Sequence, residues 1–228
     1  MAITTTEAGL LRLLQLSSAS LPVGGYSFSQ GLETAIEYQW LSSADEVGHW
    51  LSMQLQYSLA RVDLPLLLRL MAALMARDTE ALAYWNSTVL ACRESRELLL
   101  TDTAMGEALL RLLRQLEVPV SWPVDLQVPQ ASFVTAFALA SHAWQIAPDS
   151  ACLGLCWSWL ENQVAAATKL VPLGQSQAQR LLGELQQQVP EAINLAKILH
   201  DHELGGSLPA LAIASSWHET QYSRLFRS

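Results

Sequence analysis

Charge is scarce in this sequence. Asp, Glu, Lys and Arg make up 15% of its 228 residues, against about 25% in an ordinary soluble domain. Cations are scarcest, with 13 basic residues against 21 acidic ones and a net charge of −8. Such a chain lacks the basic face that a phosphate backbone demands, which argues against nucleic acid as a partner. Cysteine is nearly absent too. Cys92, Cys152 and Cys156 are an odd, low number that fits a reducing compartment rather than a disulfide framework. Met1 to Leu16 lacks the basic region, apolar stretch and cleavage site of a secretory leader, so Asn86-Ser87-Thr88 is not read as a glycosylation site. Catalytic signatures are missing as well. There is no Gly-x-x-x-x-Gly-Lys-Ser/Thr loop to cradle phosphate, no Gly-x-Ser-x-Gly elbow and no His-Glu-x-x-His.

What the chain has is apolar residues, 51% of the total, arranged with helical periodicity. Val47, Leu51, Leu55 and Leu59 stack at i, i+4. Met105, Ala108, Leu109, Leu112, Leu113 and Leu116 follow i, i+3, i+4, i+7, i+8, i+11, and Ala178, Leu181, Leu182, Leu185 and Val189 do the same. Thr4 with Glu7 and Ser43 with Glu46 read as capping boxes. Asp63 before Leu64-Pro65 and Ser207 before Leu208-Pro209 read as caps followed by a first-turn proline. The spacing predicts about ten helices, over 5–18, 30–39, 44–60, 64–76, 79–91, 93–116, 128–146, 149–167, 175–200 and 208–220, with Pro190 kinking or breaking the ninth. The widest break is Glu117 to Val128. No strand alternation is sustained, so the expectation is an all-α, single-domain bundle over residues 1–228 with no significant β-sheet. Leu126 to Pro148 carries no Asp, Glu, Lys or Arg and could in principle cross a bilayer. Its scattered polar residues, the bracketing Pro129 and Pro148, and the absence of a flanking positive cluster favour a buried or interface helix. So much apolar content with so little charge also implies that part of the surface is covered by a partner.

Several polar groups could carry chemistry. His200-Asp201-His202-Glu203 offers imidazole and carboxylate ligands of the kind that bind Zn²⁺ or Ni²⁺. Adjacent helical residues diverge, so a solvated helix end before Gly205-Gly206 is the preferred reading. The alternative it leaves open is a helical metal-dependent hydrolase. Cys152 and Cys156 share a helix face and read as small buried residues. His218 could be a base, but with no nucleophile partner a structural hydrogen bond is preferred. The stretch Leu21 to Glu33 is unusual. Gly24-Gly25 permits a tight turn, and Tyr26 and Phe28 could pack inward. It is either a helix connection capped at Ser29 or a rigid loop presenting polar groups, and spacing alone does not decide. Arg93-Glu94-Ser95-Arg96-Glu97 reads as a helix face paired at i, i+3 and i+4. Lys169 before Val171-Pro172-Leu173-Gly174 sits where it would complement a helix C-terminus. The end of the chain, Tyr222 to Ser228, is basic and aromatic on an acidic protein, and Tyr, Phe and Arg are typical interface anchors.

At Leu21–Glu33, Asp63-Leu64-Pro65, Cys92–Leu98, Lys169–Gln175 and His218–Ser228 the chain resembles the UreF family of urease accessory proteins. The resemblance spans most of the sequence. It implies an all-helical, homodimeric, cytoplasmic chaperone without enzymatic activity of its own. Such a protein associates with UreD and recruits the GTPase UreG to apo-urease, so that nickel enters the urease active site in a GTP-dependent way, with possible regulation of the GTPase. No cofactor is bound tightly; nickel is handled by the assembled complex, without nucleic acid or membrane. Tyr222, Arg224, Leu225, Phe226 and Arg227, within a docking tail over 222–228, match UreD-binding elements. Lys169, Arg93, Arg96 and Glu97 match a face toward the GTPase or urease. Gly24, Gly25, Tyr26, Ser27, Gln30 and Glu33 match a signature loop or dimer element. An arginine finger for the GTPase would come from Arg93, Arg96 or Arg224.

Overall fold

The computed structural model describes residues 4–120 and 130–227. Among these the chain is all-helical, with no strand. In order come α1 (Glu7–Leu16), a 3₁₀ turn (Gly25–Ser27), α2 (Leu32–Glu37), α3 (Ala44–Gln54), α4 (Leu64–Ala76), α5 (Thr79–Ala91) and α6 (Arg96–Gln115). There follow α7 (Phe133–Ala143), α8 (Pro148–Leu170), α9 (Gln175–Gln186), α10 (Val189–Ile198), a second 3₁₀ turn (Asp201–Glu203) and α11 (Pro209–His218). The anticipated stripes are the core. Val47, Leu51, Leu55 and Leu59 are buried, as are Ala178, Leu181, Leu182, Leu185 and Val189. In the third stripe Met105, Leu109 and Leu113 are buried, while Leu116 is exposed at the end of α6. Helices α9 and α10 separate beside Pro190, which occupies the first turn of α10, where its missing N–H costs nothing. The expected break at Glu117–Val128, apart from 117–120, lies outside the described residues, as do the first two residues of the helix expected over 128–146, and Ser228.

The charge-poor stretch is explained by α7, whose residues Phe133 to Ser141 are all buried. It packs against α6 and α4. At 1.5 Å per residue its 11 residues span about 16 Å, roughly half a bilayer core. No helix among the described residues is long and apolar enough to cross a membrane. The start of α7 is held by Asn86 of α5, which is fully buried. Its Nδ2 donates to the Gln130 carbonyl at 3.0 Å. Its Oδ1 accepts from the Ser132 amide at 2.9 Å and the Thr135 hydroxyl at 2.8 Å. A glycan could not reach this side chain. Asn86→Ala is expected to lower unfolding stability by about 2–3 kcal/mol, because it orphans buried partners; urea denaturation at constant m-value measures it.

Three expected caps fail, and of the two readings of the Leu21–Glu33 stretch the cap at Ser29 fails with them. Asp63 does not cap a new helix. Its backbone is helical, and α3 runs into α4 through a π-helical stretch, Leu55–Asp63. Pro65 has no N–H for the Arg61 carbonyl four residues back, and that carbonyl accepts the Gly205 amide at 3.2 Å instead. The α10–α11 connection thus lies along the π-helical stretch. A Cβ on Gly206 would overlap the Tyr57 carbonyl, so the backbone at Gly206 lies in close contact with the π-helical stretch, while His200 to Glu203 before it are exposed. Thr6, not Thr4, caps α1 through the Gly9 amide at 3.1 Å. Ser207 does not cap α11; its hydroxyl donates to Glu94 at 2.6 Å. Ser29 does not cap α2, which starts after Gly31 with φ +81°. The Ser43–Glu46 capping box forms as read.

Candidate functional site: a buried carboxylate–histidine centre beneath the C-terminal tail

Glu33 on α2, Glu97 in the first turn of α6 and His218 at the end of α11 meet where these three helices pack. All three side chains are buried, His218 completely. His218 Nδ1 lies 2.8 Å from Glu97 Oε2, and Nε2 lies 3.0 Å from Glu33 Oε2. Glu33 also receives the tail. Its Oε1 accepts the Leu225 amide at 2.6 Å, and its Oε2 accepts the Phe226 amide at 3.0 Å. The Arg227 amide then donates to the Ser27 carbonyl at 2.8 Å, tying the tail to the Gly24–Gln30 loop. Nearby, the Ser95 and Ser215 hydroxyls pair at 2.8 Å, and the Glu97 amide donates to Glu219 at 3.1 Å. Burial works against a charged imidazole here, but hydrogen bonds and charge from Glu97 and Glu33 outweigh it and raise the His218 pKa above its ordinary value.

The loop before α2 is built to receive this tail. Gly24 has φ +78° and Gly25 lies so close to α8 that a Cβ would sit 2.8 Å from Asn162 Nδ2. Gln30, itself at φ +50°, fixes the loop to α8. Its Oε1 accepts from Trp159 Nε1 at 2.9 Å and Gln163 Nε2 at 3.3 Å. Phe28 packs inward as expected, whereas Tyr26 is 59% exposed. The inward expectation for Tyr26 fails because the 3₁₀ turn at Gly25–Ser27 carries it onto the surface.

The structure therefore joins four segments far apart in sequence: the glycine loop, Glu97, Lys169 and the tail. Lys169 is exposed, with Nζ 5.4 Å from the Phe226 ring centroid. Phe226 is buried in this chain's own core, while Tyr222, Arg224, Leu225 and Arg227 face outward. Arg96 is also exposed. Beside the centre, Tyr38 and Trp40 tilt against Trp217 at centroid distances of 4.9 and 5.5 Å, and all three are partly open to solvent.

Arg93 lies elsewhere. The helix expected from residue 93 begins at Arg96, with Ser95 as its cap, so Arg93 is not paired with Glu97 along a helix face. It turns inward, with Nη2 at 2.6 Å from Asp63 Oδ1 and 3.3 Å from Asp102 Oδ1. Burial opposes its charge, but Asp102 and Asp63 outweigh it and hold the guanidinium protonated. Asp102 Oδ1 in turn accepts the Phe133 amide at 3.1 Å, at the start of α7. This network borders a cavity of about 110 Å³. Four buried polar atoms without a protein partner belong to residues lining it: Gln54 Nε2, Arg93 Nε, Asp102 Oδ2 and Gln163 Oε1. Two donors and two acceptors in such a space suit enclosed water.

The His200–Glu203 segment does not assemble a metal centre. Asp201 is paired with Arg69 at 2.6 Å, and the Glu203 carboxylate accepts the His200 amide at 2.8 Å. Both carboxylates are thus committed, and the two imidazoles lie parallel with centroids 5.7 Å apart. No group of three or more His, Cys, Asp or Glu among the described residues could hold a metal ion. Cys152 and Cys156 are buried, and burial pushes the Cys152 thiol up to about 12. His218 is the residue whose importance spacing could not reveal: its partners come from positions 33 and 97.

The chain is similar to known proteins over nearly its whole length. Residues 41–186 match the UreF family model. The chain is 56% identical to the urease accessory protein UreF of Marinomonas sp. strain MWYL1, covering 99% of this chain and 97% of the relative. It is 51% identical to that of Alkalilimnicola ehrlichii, covering 99% of each. It is 47% identical to that of Pseudomonas entomophila, covering 98% of this chain and 99% of the relative.

Proposed function

Because the chain belongs to the UreF family of urease accessory proteins, we propose that it acts in urease maturation as a non-enzymatic, cytoplasmic docking protein. Its homodimer binds UreD through the C-terminal tail and recruits the GTPase UreG to apo-urease. Nickel is handled by that assembly, with no cofactor held tightly by this chain. Lys169 and Arg96 offer positive charge toward the GTPase or urease, while Arg93 and Glu97 support the fold behind that face. If an arginine reaches the GTPase, Arg96 or Arg224 is the one exposed to do so.

The observation that carries this reading is the tail's placement. Its backbone is fixed by Glu33 and Ser27, Lys169 lies over the Phe226 ring, and Tyr222, Arg224 and Leu225 are exposed. A segment held in one conformation loses less entropy on binding than a frayed one. Exposed Leu10, Leu11 and Leu14 on α1 supply further unpartnered apolar surface for subunit contacts.

Deleting residues 222–228 would also remove buried Phe226 and leave Glu33 without its two amide donors, so it confuses docking with folding. The triple variant Tyr222→Ser, Arg224→Glu, Leu225→Ser changes exposed side chains only. It is expected to keep the helical content and light-scattering mass of the unmodified protein while losing co-purification with UreD. Full retention of UreD would overturn the assignment of the tail.

A further inference from the structure

Two hydrogen bonds connect Glu33, His218 and Glu97, one through each ring nitrogen. A carboxylate only accepts, and a neutral imidazole has one N–H to donate. Both bonds therefore exist together only when the trio holds one proton more than a neutral imidazole between two carboxylates. Removing that proton turns a ring lone pair toward a carboxylate oxygen where the imidazole is wholly buried, and unpaired buried acceptors are costly. Glu33 is also the carboxylate that holds the Leu225 and Phe226 amides.

We propose that Glu33, His218 and Glu97 are positioning residues forming a one-proton latch: with the proton bound, the C-terminal tail is held against the Gly24–Gln30 loop, and with it lost, the tail is released. This rests on the reading of the tail as a docking element and adds what controls its presentation. Charged groups approach from every packed element. They are Glu33 on α2, Glu97 and exposed Arg96 on α6, Glu219 just beyond α11, Lys169 on α8 over Phe226, and exposed Arg224 and Arg227 in the tail. Glu33 and Glu97 are the two that touch the ring. Their charge raises the His218 pKa in the folded chain against the penalty of burial. A raised histidine stabilises the folded arrangement fully below the ordinary histidine range, and that contribution is lost as pH rises through the folded value. The latch is thus closed below the ordinary histidine range and opens as pH rises through the raised folded value.

The test uses the full chain alone and reads amide hydrogen exchange at Leu225 and Phe226, corrected for intrinsic exchange, from about pH 6 to about pH 10. Protection at both amides is expected to fall about tenfold or more across the range. Glu97→Gln discriminates the latch from simple packing. Its amide can donate to Nδ1 of a neutral imidazole whose Nε2–H donates to Glu33, restoring both bonds without the extra proton. That variant is expected to keep the tail protected with a flat pH profile. Glu33→Gln is expected to lose protection at every pH, with helical content by circular dichroism retained. A flat profile in the unmodified chain, or an unshifted transition in Glu97→Gln, would overturn the proposal. No partner is present, so this outcome is separate from the UreD co-purification that tests the docking role.

Discussion

Arg93→Met is expected to lower unfolding stability by about 3–5 kcal/mol near neutral pH. The loss comes less from the attraction removed than from what stays behind. Asp63 and Asp102 are both buried and both rely on the Arg93 Nη2 as their cation. Asp102 has a second oxygen with no protein partner. Methionine fills the space but leaves two carboxylates facing each other at low dielectric. Their folded pKa values must then rise, so acidification favours the folded variant, and the stability gap to the unmodified protein should narrow as pH falls. Adding Asp63→Asn and Asp102→Asn should recover most of the loss, because neutral amides need no counterion. Urea denaturation midpoints of the three proteins, at two pH values, measure all of this. An unchanged midpoint in Arg93→Met would mean that this side chain works at the surface, as the sequence alone suggested, and not as the tie between the π-helical stretch, α6 and α7.

That contrast shows where sequence reading reached its limit. The helices were legible because each is dictated locally: a stripe at 3.6-residue spacing, a Ser43–Glu46 box, a first-turn proline at Pro209, a break at Pro190. Errors arose where a distant group took a polar side chain away from its local role. Asp63 looks like a cap because it precedes Leu64-Pro65, yet Arg93, thirty residues on, claims its carboxylate. Ser207 looks like a cap and is claimed by Glu94. The described part of the charge-free stretch before Pro148, expected to be a buried or interface helix, holds the buried α7, whose Ser132 and Thr135 bond to each other and to Asn86 of α5. The site was legible as a set of segments, through family resemblance, and illegible as a centre. Nothing in the local pattern around residues 33, 97 and 218 says that two carboxylates share one imidazole, because that depends on how α2, α6 and α11 cross. From its Tyr, Arg and Phe the tail reads as a candidate anchor. That Phe226 would be buried in its own chain, leaving Tyr222, Arg224 and Leu225 outside, required the Glu33 contact to be seen.

Crossing geometry also yields the second large effect. Gly106 lies where α6 passes the segment leading into α7, and both neighbours there are backbone. A Cβ at this position would overlap the Ala131 carbonyl oxygen and approach the Ser132 carbonyl carbon and oxygen at 2.8 and 2.9 Å. Neither can rotate aside as a side chain could. Gly106→Ala must therefore push α6 off the start of α7, disturbing the Asp102–Phe133 and Asn86–Ser132 hydrogen bonds that fix that start. The expected loss is about 3 kcal/mol, the upper end for overpacking because backbone is what must yield. Helix propensity pulls the other way by about 1 kcal/mol, so steric overlap decides the sign. Gly183 is the matched control. It too lies inside a helix, α9, but its nearest neighbour would be Gln186 Nε2 at 3.9 Å, an ordinary contact. With no overlap, propensity alone remains, and Gly183→Ala is expected to stabilise by about 0.5–1 kcal/mol. Denaturation of the two alanine variants side by side should give shifts of opposite sign. Shifts of the same sign would mean that the α6–α7 crossing accommodates a methyl group, and that the close approach at Gly106 does not hold the buried helix in place.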